Sequence, residues 1–356
     1  MQVETVYAQA SAAPQVIIYV DQNGNPVSTT TEMPVQAAAT AAPAVAVAVS
    51  VNNDVSAASA AIPAAVVSES VAAVAQPATT SAAVSPVSTS ASNGFGLSYN
   101  PYNKDGTCKT AAQVLVDFDG FGGAFATVRT YGIDCNTVPN VLAAAKAHGM
   151  KLFQGIFDIN AIESSVQTIV SAVGGDWSSI HTISVGNELV NGGQATAATV
   201  VAAVNTARSL LRAAGYTGPV VTCDTLIATI SNPSLCDNSD YCAVNSHPFF
   251  DPNTAASQAG DFLVAQLGRL KNVLANSAQS IVITETGWPS QGDANGAAVP
   301  SLANQVTAIA AIKSAFTSNP AGLVLFNPYH MHWKTSNANQ FNAEPWWGFL
   351  GECPSG

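Results

Sequence analysis

Short apolar runs alternate with amphipathic stretches along the chain from Gly94 onward. The apolar runs predict strands at 95–99, 126–131, 151–157, 180–188, 219–222, 242–246, 281–285 and 323–326. The stretches between them predict helices over 110–117, 138–147, 162–173, 195–214, 255–274 and 301–317. Eight strands alternating with helices in this length match a (β/α)8 TIM barrel. A doubly wound sheet is the alternative, but no Gly-rich phosphate loop follows a strand.

Residues 1–93 differ in composition from the rest of the chain. Between residues 37 and 91 there is no aromatic side chain, and Ala, Val, Ser, Thr and Pro dominate. Such a segment has too little bulky side chain to build a core, so we expect it to be disordered. Two short runs within residues 15–30 are the exception and predict a hairpin. The predicted organisation is therefore a disordered leader over 1–93 and a barrel domain over 94–356.

Charge and hydropathy narrow the range of partners. Only 9% of the residues are charged, and the net charge is −11 with 11 Lys and Arg in total. Capture of nucleic acid or of an anionic membrane is therefore not expected, and a neutral partner is favoured. The chain has no run of 18 apolar residues, so no membrane span is predicted.

The cysteines and the leader indicate an oxidising compartment. Six cysteines without a zinc-site spacing predict up to three disulfides, no metal and no cofactor, and the pairing stays open. Ser and Thr next to Pro in the leader suit an O-glycosylated stalk, and the chain has no Asn-x-Ser/Thr acceptor site with x other than Pro. The N-terminus lacks the features of a signal peptide, so we interpret the sequence as a mature or truncated form.

Two of the predicted strands end in a glutamate. Glu188 closes the strand over 180–188, and Glu285 closes the strand over 281–285 before Thr286-Gly287-Trp288-Pro289 breaks it. A strand-end glutamate can simply cap a loop, but in a barrel both carboxylates would face one pocket. Two carboxylates on either side of a bond are what glycoside hydrolysis requires, provided that their pKa values are pushed apart.

Five ordered motifs carry a resemblance to a known family. They are Val128-Arg129-Thr130-Tyr131-Gly132, Val185-Gly186-Asn187-Glu188, Asn245-Ser246-His247-Pro248-Phe249-Phe250, Thr284-Glu285-Thr286-Gly287-Trp288-Pro289 and Glu344-Pro345-Trp346-Trp347-Gly348. Together they resemble the fungal β-1,3-glucanases of glycoside hydrolase family 17, from about Gly94 to Gly351. The Ala/Ser/Thr-rich leader is similar to that of the yeast cell-surface mannoprotein branch.

The resemblance implies a retaining enzyme that acts on β-1,3-glucan, with Glu188 as acid/base and Glu285 as nucleophile, about 5–5.5 Å apart. Cell-wall remodelling by a secreted, wall-associated monomer is the implied setting. Hydrolysis and transfer to another glucan remain open, and a wall or adhesion protein that binds glucan without turnover is the alternative of a different class.

The predicted substrate-binding residues follow the strand ends. Aromatic rings there can stack on sugars or form the pocket wall, Arg129 can orient Glu285 or make a structural ion pair, and His247 can hydrogen-bond a carboxylate or a sugar. The full set is Tyr99, Arg129, Tyr131, Asn187, Asn245, His247, Phe249, Trp288, Trp333 and Lys334.

One segment departs from the family pattern. The last strand of the family commonly continues into an acidic Glu-x-Phe-Asp segment, whereas this chain reads Asn327-Pro328-Tyr329-His330-Met331-His332 before Trp333. We therefore expect a supporting acidic shell to be replaced by Asn327, His330 and His332. The two histidines have no third ligand at a suitable spacing, so a metal site is not predicted there.

Overall fold

The computed structural model describes residues 94–121 and 124–356, together with the backbone of two strands near the N-terminus. Those two strands, β1 (Gln15–Val20) and β2 (Pro26–Glu32), pair antiparallel with Gln15 opposite Glu32. The predicted hairpin is therefore confirmed. The predicted disorder and glycosylation of the rest of the leader lie outside the described residues.

Eight parallel strands form a closed barrel, in which each strand pairs with the next along the chain and the last strand pairs with the first. The predicted (β/α)8 barrel is confirmed. The strands are β3 (Gly96–Ser98), β4 (Thr127–Arg129), β5 (Lys151–Ile156), β6 (Ile180–Asn187), β7 (Val220–Thr225), β8 (Cys242–Asn245), β9 (Ile281–Thr286) and β10 (Leu323–Leu325).

Eight helices accompany the strands in the described part of the chain. They are α1 (Ala111–Phe121), α2 (Thr137–Ala147), α3 (Ile162–Val173), α4 (Ala197–Ala213), α5 (Leu226–Ser231), α6 (Ser234–Asp237), α7 (Ala259–Lys271) and α8 (Leu302–Ala315). The sequence did not predict α5 and α6, which are too short to show a helical period. After β10 the described chain forms only 3₁₀ turns, at Ala338–Gln340 and Glu344–Trp346.

The barrel strands are buried on both faces, as their continuous apolar runs require. Every strand contributes at least one side chain with no exposed surface: Leu97, Val128, Leu152, Ile183, Val220, Val244, Ile283 and Leu323. Buried polar side chains lie on the same strands, among them Thr182, Asn245 and Thr284. Since buried polar groups need hydrogen-bond partners, we expect these side chains to bond to one another or to the neighbouring strands inside the barrel.

Two disulfides form. The sequence predicted up to three disulfides and did not determine their pairing. Cys108–Cys135 joins the loop after β3 to the loop after β4, and Cys236–Cys242 joins α6 to β8. Cys223 and Cys353 are free thiols. No helix in the described ranges has the length and apolar character needed to cross a bilayer.

Candidate active site

A wide groove opens at the carboxyl ends of the barrel strands. Its volume is about 1050 Å³, at the upper end of the range for small-molecule pockets. Glu188 and Glu285 both line it, together with several aromatic rings. In (β/α)8 barrels this end of the barrel carries the active site.

The backbone presents Glu188 in an unusual conformation. Glu188 directly follows β6 and has φ 54°, in the left-handed region that non-glycine residues rarely adopt. Gly186, two residues earlier, has φ 76°, and a Cβ there would lie 2.8 Å from Leu189 Cδ1. The chain therefore turns sharply at the end of β6, and after this turn Glu188 lines the groove.

Asn245, the last residue of β8, joins the two glutamates. Its Nδ2 group donates to Glu188 Oε1 at 2.7 Å and to Glu285 Oε1 at 3.1 Å. The two carboxylate oxygens can therefore be no further apart than the sum of these distances, 5.8 Å. Thr284 Oγ1 donates to Asn245 Oδ1 at 2.7 Å, which fixes the orientation of the amide.

Arg129 anchors the other side of Glu285. Its guanidinium is 1% exposed and donates through Nη1 to Glu285 Oε1 at 2.7 Å and to Thr284 O at 2.9 Å. Nη2 donates to Asn187 Oδ1 at 2.7 Å. A buried guanidinium requires a partner, and here the partner is one carboxylate of the pair. Arg129 therefore positions Glu285 from beneath and has almost no surface to offer a substrate.

The two carboxylates lie in opposite electrostatic settings. Burial alone raises the pKa of Glu285, but the charge of Arg129 and the nearby His247 outweigh burial and lower this pKa to about 2. His247 Nε2 lies 3.5 Å from Glu285 Oε2. Burial, followed by the charge of Glu285, raises the pKa of Glu188 to about 7. Near neutral pH one carboxylate is therefore ionised while the other can hold a proton.

Asp224 in β7 holds the loop that carries Glu188. Its carboxylate, 2% exposed, accepts hydrogen bonds from the backbone N–H groups of Val190, Asn191 and Thr225 at 2.9, 3.2 and 2.8 Å. Burial raises the pKa of Asp224, and the three N–H donors act against this shift. Asp224 therefore supplies the partners that the tight turn after Glu188 would otherwise lack.

Most of the predicted binding residues do line the groove. Tyr131, Asn187, Asn245, His247, Trp333 and Lys334 all contribute to its wall. The Oδ1 atom of Asn187 is taken up by Arg129 and Asn245, so its Nδ2 group is the donor that remains for a sugar hydroxyl. Lys334 Nζ pairs with Glu344 Oε2 at 2.7 Å.

Three of the predicted sugar-stacking residues are wrong. Phe249 and Trp288 are 0% exposed and pack edge to face at 5.6 Å, and Trp288 Nε1 donates to Val299 O. Tyr99 is 2% exposed, and its hydroxyl donates to Asp117 Oδ2 at 2.6 Å. These rings have their partners inside the protein, so they support the wall of the barrel and do not face a sugar.

The three residues that we expected to replace a supporting acidic shell, Asn327, His330 and His332, do not line the groove. His330 Nδ1 accepts from Gly348 N at 3.2 Å, and His332 Nε2 lies 2.9 Å from Glu352 Oε1. Asn327 is 2% exposed. Instead, Glu344 from the next turn lines the groove together with Lys334. The described residues contain no group of three or more His, Cys, Asp or Glu side chains that could hold a metal.

Sequence reasoning missed several residues of the site. Phe157, which directly follows β5, lines the groove with 54% of its surface exposed. Its position at the end of a predicted strand was a usable signal, whereas Asp224 and Thr284 carried none. Their roles depend on contacts between neighbouring strands, which only the closed barrel brings about.

The sequence matches the BtgE/BtgC glycoside hydrolase domain over residues 96–348. It is also 49% identical over 262 residues to a probable family 17 glucosidase of Saccharomyces cerevisiae. The chain belongs to glycoside hydrolase family 17. The family 17 resemblance that the motifs indicated is therefore confirmed.

Two further comparisons describe this family 17 chain. It is 45% identical over 255 residues to a cell surface mannoprotein of Candida albicans. The matches cover 73% and 71% of this chain but only 65% of each of these two relatives. A family 17 β-1,3-glucanosyltransferase of Rhizomucor miehei has the same fold, with a TM-score of 0.62 at 20% identity over 73% of this chain and 93% of that one.

Proposed function

We propose that residues 94–356 form a retaining glycosidase that acts on β-1,3-glucan, with Glu188 as acid/base and Glu285 as nucleophile. The observation that carries the proposal is the shared donor: Asn245 Nδ2 contacts Oε1 of both glutamates, so these two oxygen atoms are at most 5.8 Å apart. Retaining enzymes hold their carboxyl groups about 5–5.5 Å apart, whereas inverting enzymes leave room for a water between them.

The electrostatics of the two carboxylates support this assignment of roles. A nucleophile must be ionised, and Glu285, whose pKa is lowered to about 2 beside Arg129, meets this requirement. A proton donor must hold its proton near neutrality, and Glu188, whose pKa is raised to about 7, can do so. Glu285 attacks the anomeric carbon as Glu188 protonates the departing oxygen. Glu188 then removes a proton from the incoming water or sugar hydroxyl, which releases Glu285.

The substrate class rests on the relatives and on the shape of the groove. The solved Rhizomucor miehei neighbour is a β-1,3-glucanosyltransferase, and an active-site mutant of it was solved with laminaritriose. The groove of this chain has a volume of about 1050 Å³, and aromatic rings that suit a neutral sugar chain line it. We propose a monomer at the cell surface or wall, with residues 1–93 as its glycosylated leader; the Candida albicans relative is a cell surface mannoprotein.

Purified protein incubated with laminari-oligosaccharides tests the function. Shorter products indicate hydrolysis, and longer products indicate transfer. Glu285→Gln should abolish turnover and keep binding to glucan, while Glu163→Gln, an exposed residue of α3, should behave as the unaltered protein. An unchanged product pattern together with retention on glucan would favour the non-catalytic binding protein instead.

Azide distinguishes the two glutamates. In Glu188→Ala, azide should attack the glycosyl–Glu285 intermediate and give the β-glycosyl azide. In Glu285→Ala, azide should replace the missing nucleophile on an activated β-glycoside and give the α-glycosyl azide. The reverse pattern of products would exchange the two roles, and no azide product from either variant would remove the double-displacement mechanism.

A further inference from the structure

A buried ionic cluster lies outside the groove, where the loop before α1 meets the C-terminal segment. Asp117 in α1 is 0% exposed, and Lys109 is 4% exposed. Lys109 Nζ donates to Asp117 Oδ2 at 2.5 Å, and the Tyr99 hydroxyl donates to the same oxygen at 2.6 Å. The proposed glycosidase chemistry uses none of these groups.

Cys353 completes this cluster. Its sulfur lies 2.6 Å from Lys109 Nζ and donates to Asp117 Oδ1 at 2.9 Å. The separation from Lys109 is shorter than a typical N–H···O hydrogen bond, although sulfur is the larger atom. The distance between nitrogen and sulfur matches that expected if both atoms were bonded to one oxygen between them. The two side chains are thus separated by the space that one bridging oxygen occupies.

A small cavity opens beside the lysine and the cysteine. Its volume is about 20 Å³, and both Lys109 and Cys353 line it. A space of this size holds one molecule of about the size of water. Dioxygen is small and apolar enough to enter such a space. The cluster therefore has an amine, a thiol, a carboxylate acceptor and room for a small oxidant.

We propose that Lys109 and Cys353 are a modification site, at which dioxygen joins the two side chains through an N–O–S cross-link. The reaction converts one amine, one thiol and one dioxygen into the bridge and one water. One N–O bond and one S–O bond form, while the O–O bond, one N–H bond and the S–H bond break. Nitrogen and sulfur are oxidised, dioxygen is reduced, and both hydrogens leave in the water.

Asp117 is placed to move the protons of this reaction. Its Oδ2 faces the Lys109 amine and its Oδ1 faces the Cys353 thiol. Burial, with the hydrogen bond to Asp117, raises the pKa of the Cys353 thiol, so the proton stays on sulfur until oxidation begins. Oxidation of the sulfur is the first step on the cysteine ladder. In the proposed reaction the oxygen gained by sulfur stays as the bridging atom to nitrogen, whereas condensation of a sulfenic acid with a nitrogen would expel that oxygen as water and leave an S–N bond.

The cross-link would join segments 244 residues apart in sequence. Lys109 is adjacent to the Cys108–Cys135 disulfide, and Cys353 follows the segment that carries Glu344 and Trp347 to the groove. Closing so long a loop constrains the unfolded chain and stabilises the fold. We expect the cross-linked form to unfold roughly 5 °C higher than the open form.

Thiol counting and mass spectrometry on the full chain test this proposal. Protein prepared without oxygen and then exposed to air is denatured without reductant and alkylated. We expect two labelled thiols before exposure and one, Cys223, afterwards. A digest should contain the Lys109 and Cys353 peptides joined, with one oxygen gained and two hydrogens lost, and trypsin should no longer cleave after Lys109. Dithiothreitol should release the two peptides.

Two variants separate the cross-link from a purely structural ion pair. Lys109→Arg keeps the charge beside Asp117 but should leave both thiols free and lose the rise in unfolding temperature on air exposure. Cys223→Ser removes the other thiol and should still give the joined peptide. Two labelled thiols after exposure to air, or Cys353 in a disulfide with a second molecule, would overturn the proposal. These outcomes do not depend on glycosidase activity.

Discussion

At the scale of single residues, the site depends on a charge difference between two side chains of the same type. Arg129 and His247 lie next to Glu285, whereas Glu188 is buried close to the negative charge of Glu285. Sequence patterns identified both glutamates because each closes an apolar strand. They could not predict the role of Asn245 Nδ2 or of Asp224, because these side chains come from other strands of the barrel.

The pH dependence of kcat/KM should report this difference. The proposed mechanism requires Glu285 ionised and Glu188 protonated, so the profile should fall on the acid side near pH 2 and on the alkaline side near pH 7. Asp224→Asn removes a negative charge that raises the pKa of Glu188. The alkaline limb of the profile should therefore move to lower pH, by less than about one pH unit.

Asn245→Ala should move the same limb in the opposite direction. The hydrogen bond from Asn245 lowers the pKa of Glu188, so its loss should raise the alkaline limb and also reduce kcat. Initial rates on one laminari-oligosaccharide across the pH range measure both variants. Identical alkaline limbs in the two variants would show that Glu188 is not the group that titrates there.

The free energy of unfolding should also depend on the ionisation of Glu188. The pKa of Glu188 is about 7 in the folded protein, above the ordinary glutamate value of 4.5. Ionisation of Glu188 therefore favours the unfolded chain, and its protonated form stabilises the fold at low pH but not above about pH 7. Glu188→Gln cannot ionise, so it should raise the free energy of unfolding at about pH 8 by on the order of 2–3 kcal/mol and change it little at about pH 4. Denaturant unfolding at the two pH values measures this, and an equal effect at both would contradict it.

At the scale of elements, the direction of a side chain at a strand end was harder to predict than the strand itself. All eight strands were predicted, yet Trp288 and Phe249 point into the protein and Phe157 points into the groove. Regular alternation ends where the strand ends, and the following turns then decide which way a ring faces. The short helix α5 was missed for a related reason, since Thr225, the last residue of β7, is also the N-cap of α5.

Substituting two tryptophans should distinguish a ring that lines the groove from a ring that is buried behind it. Trp333 lines the groove, so Trp333→Ala should raise KM for laminari-oligosaccharides several-fold and leave thermal unfolding nearly unchanged. Trp288 is 0% exposed, so Trp288→Ala should lower the free energy of unfolding by about 3–5 kcal/mol. Steady-state kinetics and thermal melts of both variants measure this. A Trp288→Ala protein of unchanged stability with only a raised KM would show instead that the Trp288 ring contacts substrate.

At the scale of the whole molecule, the barrel is complete within a part of the chain. Its strands run from Gly96 to Leu325, and β10 closes on β3 without any strand from residues 1–93. This architecture was predictable because parallel strands must be joined by crossovers, which repeat visibly in the sequence. The C-terminal segment was not predictable in the same way. It has no period, and its position depends on individual contacts such as that between Glu344 and Lys334.

A protein that begins at residue 94 should therefore fold and act like the full chain on soluble substrates. We expect thermal unfolding within about 2 °C and an equal kcat/KM on laminari-oligosaccharides, because the site and the barrel strands lie inside this range. If residues 1–93 act as a stalk, the two forms should differ only on insoluble glucan or intact wall, where a leader changes reach and retention. Lower stability or activity of the shorter form on soluble substrate would mean that the barrel domain begins before residue 94.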